Sequence, residues 1–275
     1  MATLADTQAI QKARRDALSG TPRAHAVDRW IFVGMAVWFI AIVLAGFIPD
    51  SIMKVGLVQS GQRAPFPIVL HMHAVLMGSF LLLMLAQSWL MATGRKAQHM
   101  RLGLAGMVLA PALVVVGFIL APTMYHMLWD AAQAAPAGKQ AELQGALGIW
   151  EDILLLQIRI GVTFAIFMAI ALAARIRDSG MHKRMIFLAV AMALPAGFDR
   201  IPWLWSTMPV SPLSADVWVL VAVAPMFLWD VIRNRWVHPA YVIWLALNIP
   251  LSVAVFGLWD TPWWHHAARQ IMGVG

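Results

Sequence analysis

The 275-residue chain contains no cysteine and few charges. Without a thiol it can form no disulfide, thiolate zinc site, iron–sulfur cluster or c-type haem, and it has no cysteine nucleophile. Charged residues make up 12%, against roughly 25% in an ordinary soluble domain, while 61% are hydrophobic. One soluble domain of this size cannot bury so much apolar surface. The composition therefore excludes a soluble enzyme, a disordered protein and a nucleic-acid binder with a charged surface.

Long apolar stretches recur along the chain. A helix needs about 20 mostly apolar residues to cross the hydrocarbon core, which is about 30 Å thick, because each residue rises about 1.5 Å. The stretches that meet this length are 30–48, 66–91, 102–124, 150–174, 184–205, 217–231 and 241–259. We therefore predict an all-α, polytopic membrane protein: a bundle of seven transmembrane helices in residues 29–259, preceded by a tail of residues 1–28 and followed by a tail of residues 260–275.

Basic residues are distributed unevenly about these spans. Seven crossings place the N-terminal tail and three of the loops on one side, and that side holds 14 of the 20 lysines and arginines. The other side holds only Lys54, Arg63, Lys139 and Arg269. Positive charge stays on the cytoplasmic side, so we predict that the N-terminus lies inside and residues 260–275 lie on the outer face. The net charge of +7 then records orientation beside a lipid bilayer and requires no nucleic acid.

Several polar residues lie inside the predicted spans, where they are costly and are functional candidates. From the helix rise, three helices carry such residues about 7–13 Å below their outer ends. We predict a polar pocket in the outer half of the membrane that binds a ligand. The pocket is built from His73, Arg159, Asp199 and Arg200, with His71, Glu151 and Asp152 at its mouth, and Asp152 also counts among the candidate ligand-binding residues.

The pocket admits several chemistries. Two arginines suit a small anionic ligand or a haem propionate. Arg159 with Asp199, and Arg200 with Asp152 or Glu151, are the ion pairs that the helix positions suggest. Alternatively, Asp199, Glu151 or His73 serves as acid or base in a membrane enzyme acting on a lipidic substrate. A third interpretation is a structural or assembly subunit with a membrane-protein partner, in which the charges serve only helix packing.

Histidine and methionine cluster at two predicted helix ends. His71, Met72 and His73 begin the second span, and His126 follows Met124 at the end of the third. Imidazole and thioether ligands together suit copper, so His71, His73 and His126 form a candidate metal site. A single haem b held by His71 or His73 together with His126 is the alternative cofactor.

The order of several short motifs resembles a known family. The motifs are His71-x-His73, Gln87, His99-x-Arg101-Leu102-Gly103, His182-Lys183-Arg184-Met185 and Asp199-Arg200-Ile201-Pro202. Over residues 30–205 they resemble an uncharacterised family of bacterial heptahelical inner-membrane proteins, although many relatives carry Trp at the position of Phe80. The resemblance implies the fold and a location in the bacterial inner (cytoplasmic) membrane, as a multi-pass protein. It implies no function, because that family has no assigned biochemical role.

Overall fold

The computed structural model describes residues 16–18 and 21–275, and this part of the chain is helical without any β-strand. The predicted tail of residues 1–28 lies mostly outside this description. The helices are α1 (Ala26–Gln59), α2 (Ile68–Ala92), α3 (Lys96–Gln133), α4 (Ala137–Ala174), α5 (Ser179–Ala191), α6 (Pro195–Phe198), α7 (Leu213–Asn234), α8 (Pro239–Leu258) and α9 (Pro262–Ile271).

Six of these helices, α1 to α4, α7 and α8, are long and apolar enough to cross a membrane. Only 17–44% of their most apolar segments is buried inside the protein. Large apolar side chains such as Val75, Val108 and Val253 point outward instead, each about two-thirds exposed or more. An exterior of this kind suits lipid rather than water. The all-helical, multi-pass membrane architecture predicted from the sequence is therefore confirmed.

The fifth predicted span is not one continuous helix. α5 has only 13 residues. The amides of Met192, Ala193 and Leu194 then donate to carbonyls three residues back, which tightens the chain before Pro195 begins the short α6. Proline has no N–H with which to continue an α-helix, so it favours this break. The prediction of a helix over 184–205 is wrong beyond Phe198, where the chain becomes irregular until α7 begins.

The fold is centred on α5. Every residue from Phe187 to Met192 is buried, and the helix packs against α4, α7 and α8. A close approach of α1 and α6 supports this centre, since a Cβ atom at Gly46 would lie 2.1 Å from the carbonyl oxygen of Gly197. Small residues at helix contacts allow backbones in a membrane bundle to approach closely. Glycine at position 46 is therefore required by packing.

Polar contacts concentrate at two ends of the bundle. Asp16, the end of α7 and the start of α5 meet at one end, which we call the Asp16 end. α9 packs against α4 at the opposite end, which we call the α9 end. α3 and α4 each run for 38 residues, or about 57 Å, nearly twice the thickness of a hydrocarbon core. Their connection, residues 134–136, lies beyond the α9 end.

Candidate metal centre at the α9 end

Glu151 of α4 holds α9 against the bundle. Its fully buried carboxylate accepts hydrogen bonds from the Tyr125 hydroxyl at 3.0 Å, from Nδ1 of His265 at 2.8 Å and from Nε of Arg269 at 2.8 Å. His265 and Arg269 are four residues apart and therefore share one face of α9. The hydrogen bond to Glu151 raises the pKa of Arg269. The predicted outer tail is thus an ordered helix.

The start of α9 is fixed by local chemistry. Thr261 caps the helix, since its hydroxyl accepts a hydrogen bond from the amide of Trp264 at 3.2 Å, and Pro262 occupies the first turn. Asp260 has a φ of 52°, a left-handed conformation that aspartate tolerates better than most residues. This turn directs the chain from α8 into α9.

Asp152, Asp260 and His265 converge beside Glu151. Their potential ligand atoms all lie within 4.8 Å of one another. Asp152 is 5% exposed and accepts a hydrogen bond from the amide of Asp260 at 2.9 Å. Nε2 of His265 lies 3.3 Å from the Asp260 carboxylate. The Asp260 side chain is 83% exposed and is therefore free to rotate toward a bound ion.

The chemistry of these groups suits a transition-metal ion. Two carboxylates and one imidazole are ligands of the kind that zinc accepts at about 2.0–2.2 Å. Glu151 holds Nδ1 of His265 and so leaves Nε2 for the metal, which is the usual carboxylate–histidine–metal arrangement. The residues present therefore fit a divalent cation, with Asp152, Asp260 and His265 as ligands and Glu151 as the group that orients the imidazole.

An open cleft adjoins two of the three ligands, Asp152 and Asp260. One cavity of about 420 Å³ contains Asp152 and Asp260 in its wall, together with Gly145, Gly148 and Val210. A second cavity of about 300 Å³ shares Val210 and Asp260 with the first. Structural zinc sites are closed by four protein ligands, whereas sites that bind water or substrate keep a position open. The cleft connects the open coordination position with the surface of the bundle.

Arg159 lies on the same helix as Asp152 but in a separate polar site. One guanidinium nitrogen donates to the Asp216 carboxylate at 2.6 Å and another to the Ser252 hydroxyl at 2.7 Å. The Ser252 hydroxyl also donates to Asp216 at 2.8 Å, which closes a three-residue network between α4, α7 and α8. The predicted pairing of Arg159 with Asp199 is therefore wrong.

Asp199 and Arg200 lie away from this network. Asp199 is exposed at the end of α6. Arg200 pairs with Asp50 of α1 at 3.3 Å and lies over the Phe47 ring. The predicted pairing of Arg200 with Asp152 or Glu151 is wrong, because the broken fifth helix brings Arg200 to α1 rather than to α4. Of the residues of the predicted pocket, the structure brings only Glu151 and Asp152, from its mouth, to a common site. That any residue of the pocket binds a ligand stays a prediction.

The histidines predicted to bind metal or haem occupy different levels. Gln87 lies beside Gly103 and Leu83 lies beside Gly106, which gives the register of α2 against α3. This register puts His73 level with about residue 116, so His126 lies roughly 15 Å further along α3. His71 is exposed, and His126 stacks its edge on Tyr125. Copper or haem b at His71, His73 and His126 stays a prediction that the register does not support.

Sequence reasoning missed Asp216, Asp260 and His265. Asp216 lies one residue before the predicted sixth span, so a search for polar residues inside the spans does not include it. Asp260 and His265 fall in the segment interpreted as a tail. The sequence does contain one signal for Asp260 and His265. Thr261-Pro262 is a typical helix start, and residues 265 and 269 then fall on one face of that helix.

A second buried cluster occupies the Asp16 end. Arg184 is fully buried and forms a bidentate ion pair with the fully buried Asp230, while its two terminal nitrogens donate to Asp16 at 2.9 Å. The Tyr241 hydroxyl donates to Asp230 at 2.9 Å, and Asn234 donates to it at 2.6 Å. These contacts join α5, α7 and α8 to the described part of the N-terminal segment.

His238 makes the stability of this cluster dependent on pH. Burial lowers the pKa of His238 to about 4, and the nearby Arg184 guanidinium acts in the same direction, whereas the carboxylates of Asp230, Asp16 and Asp178 oppose it. Between pH 6.5 and 4 the unfolded chain binds a proton that the folded protein excludes. The contribution of His238 to the free energy of unfolding is therefore fully present above pH 6.5. It is lost as the pH falls, so that the protein is about 3 kcal/mol less stable at pH 4 and below.

Unfolding of the detergent-solubilised protein at pH 7.5 and 4.5 measures this effect. The matched variant is His238→Asn, whose side-chain oxygen can still accept the hydrogen bond that Nδ1 receives from the Ala240 amide. We expect the variant to lose less stability than the wild-type protein on acidification. An equal loss in both proteins would contradict the assignment to His238.

Comparison with known proteins identifies no relative: no family model, curated protein or solved structure matches the chain.

Proposed function

We propose that this protein is a membrane protein that binds a divalent transition-metal ion at Asp152, Asp260 and His265. The observation that carries the proposal is the convergence of these three ligands, two of which line an open cleft, with the buried Glu151 carboxylate holding Nδ1 of His265. An imidazole ligand favours zinc or a similar ion over magnesium, which prefers oxygen ligands and retains its waters. The open position would admit water or a small ligand from the cleft.

The location of the site is part of the proposal. α5 and α6 together would complete a seventh crossing, as in the bacterial heptahelical inner-membrane family that the motifs resemble. The distribution of basic residues then supports an inside N-terminus and an outer-face location of the α9 end. The metal would be taken from the compartment outside the cytoplasm.

The test is a calorimetric Zn²⁺ titration of the protein in mild detergent, comparing the wild type with Glu151→Gln. We expect one ion per chain in the wild type, retained in the presence of excess Mg²⁺. In the variant, Oε1 can still accept from Tyr125 and Arg269, but an amide N–H now faces Nδ1 of His265. The imidazole would then carry its proton on Nε2 and lose its ligand lone pair. We expect zinc affinity to fall about 10–100-fold.

Glu142→Gln is the control, because Glu142 is an exposed residue on the same helix and undergoes the same change. It should leave the zinc affinity unchanged. The proposal fails if the wild type shows no saturable zinc binding, or if both variants bind zinc as the wild type does.

A further inference from the structure

Four buried polar atoms near the middle of the bundle have no hydrogen-bond partner in the described part of the chain. They are Nδ2 and Oδ1 of Asn248, Nε1 of Trp244 and Nε of Arg159. Asn248 is 8% exposed, so its whole amide is removed from both lipid and bulk water. A buried polar group without a partner destabilises the fold and is rare in native proteins. Two such residues on one helix point to a polar occupant between them and their neighbours.

Trp244 and Asn248 lie on one face of α8, whereas Arg159 belongs to α4. Tyr241, Trp244, Asn248 and Ser252 follow one another at intervals of three, four and four residues, which is the spacing of a single helical face. Tyr241, Trp244 and Asn248 are buried. From Tyr241 to Ser252 the face extends about 16 Å along the helix axis, or half of a hydrocarbon core. We call these four residues the α8 polar face.

Each end of the α8 polar face is a hydroxyl bound to a buried or part-buried aspartate. At the Asp16 end, the Tyr241 hydroxyl donates to Asp230, which pairs with Arg184. Toward the α9 end, the Ser252 hydroxyl donates to Asp216, which pairs with Arg159. The unpartnered amide and indole groups lie between these two titratable carboxylates. The arrangement is therefore two hydroxyl–carboxylate pairs separated by an unpartnered amide and an unpartnered indole N–H, and polar hydrogen-bonding molecules held at those two groups would connect the pairs.

We propose that the α8 polar face is a proton-transfer path between Asp230 and Asp216, completed by water held at Asn248 and Trp244. The Asn248 amide can both donate to and accept from water, and the indole N–H donates. One aspartate, when protonated, releases a proton and the carboxylate of the other gains one, while each hydroxyl or water between them accepts a proton on one side and releases one on the other. The number of protons is conserved, and nothing is oxidised or reduced. The driving force is the proton gradient or the membrane potential, and the path does not involve the metal ligands.

Proton flux into proteoliposomes containing a trapped pH-sensitive dye tests the path, with a potassium diffusion potential as the driving force. We expect the wild-type protein to conduct protons above the rate of protein-free vesicles, in buffer containing a chelator. Asn248→Leu removes the central amide and should lower the protein-dependent flux at least 10-fold. Ile249→Leu, at the neighbouring outward-facing position, should leave it unchanged.

Two further variants separate conduction from folding. Asn248→Gln retains an amide and should retain measurable flux. Trp244→Phe removes only the indole N–H and should lower the flux several-fold even if Asn248→Leu does not fold. Flux of the wild type no greater than that of empty vesicles would overturn the proposal. Equal flux in the folded Asn248→Leu or Trp244→Phe protein would also overturn it. Zinc binding is measured in a separate titration, so the result of the flux assay neither supports nor contradicts the proposed metal site.

Discussion

The Asp230→Ala variant is expected to be about 3–5 kcal/mol less stable than the wild-type protein, because it leaves a charged guanidinium buried without its closest partner. Arg184 is fully buried, and Asp230 is its only fully buried carboxylate partner in the described residues. The remaining partner, Asp16, is one-quarter exposed and belongs to the N-terminal segment. The substitution also removes the acceptor for the Tyr241 and Asn234 side chains. Chemical unfolding in detergent measures the loss.

Asp50→Ala provides the matched control. Asp50 also pairs with an arginine, Arg200, and with Lys54, but both cations are partly exposed and can be solvated when the carboxylate is removed. Exposed ion pairs contribute about 0–1 kcal/mol, so this variant should lose no more than that. Similar losses in Asp50→Ala and Asp230→Ala would mean that the buried pair is not a principal source of stability.

The His265→Ala variant is expected to lose high-affinity zinc binding. The imidazole is the only nitrogen ligand of the three, and its removal should lower the affinity more than about 100-fold, beyond the roughly 10–100-fold effect of losing a supporting residue. The side chain is 22% exposed and lies at the surface of the bundle. The membrane-spanning helices should therefore keep their fold in this variant, and circular dichroism would verify it.

His266→Ala is the control for this variant. His266 is the adjacent residue on α9, is exposed, and does not belong to the cluster formed by Asp152, Asp260 and His265. It should bind zinc as the wild type does. Equal weakening in both histidine variants would assign the binding to a general effect of the imidazoles on α9 rather than to the three-residue site.

The membrane fold could be predicted from the sequence because hydrophobic length alone indicates a crossing helix. Six of the seven predicted spans correspond to long helices. The departure falls at residues 192–194, between the end of α5 and Pro195, whose missing backbone donor favours the break. Hydrophobicity measures the free energy of transfer into lipid and not the backbone conformation. The residues from Met185 to Leu194 are all apolar, so the pattern is the same whether or not the helix continues. The break therefore leaves little trace in a hydropathy pattern.

The site was harder to predict because depth and helical phase do not determine which helices are neighbours. Arg159 and Asp199 were placed at similar depth, but α4 faces α7 and α8 at that level, so the carboxylate that meets Arg159 is Asp216. Glu151 and Asp152 were identified at the mouth of the pocket, whereas their partners come from residues 260–269. A short amphipathic helix that follows a predicted last span looks like a tail until its packing against α4 is known.

Zinc K-edge X-ray absorption of the zinc-loaded protein tests the central claim most directly, because it reports the ligand atoms themselves. The account predicts oxygen and nitrogen scatterers at about 2.0–2.2 Å, with the outer-shell pattern of one imidazole, and loss of that pattern in His265→Ala. A sulfur scatterer at about 2.3 Å, or two or more imidazoles, would contradict it. Since the chain has no cysteine, sulfur would have to come from methionine, and the site would then lie elsewhere, as at His71, Met72 and His73.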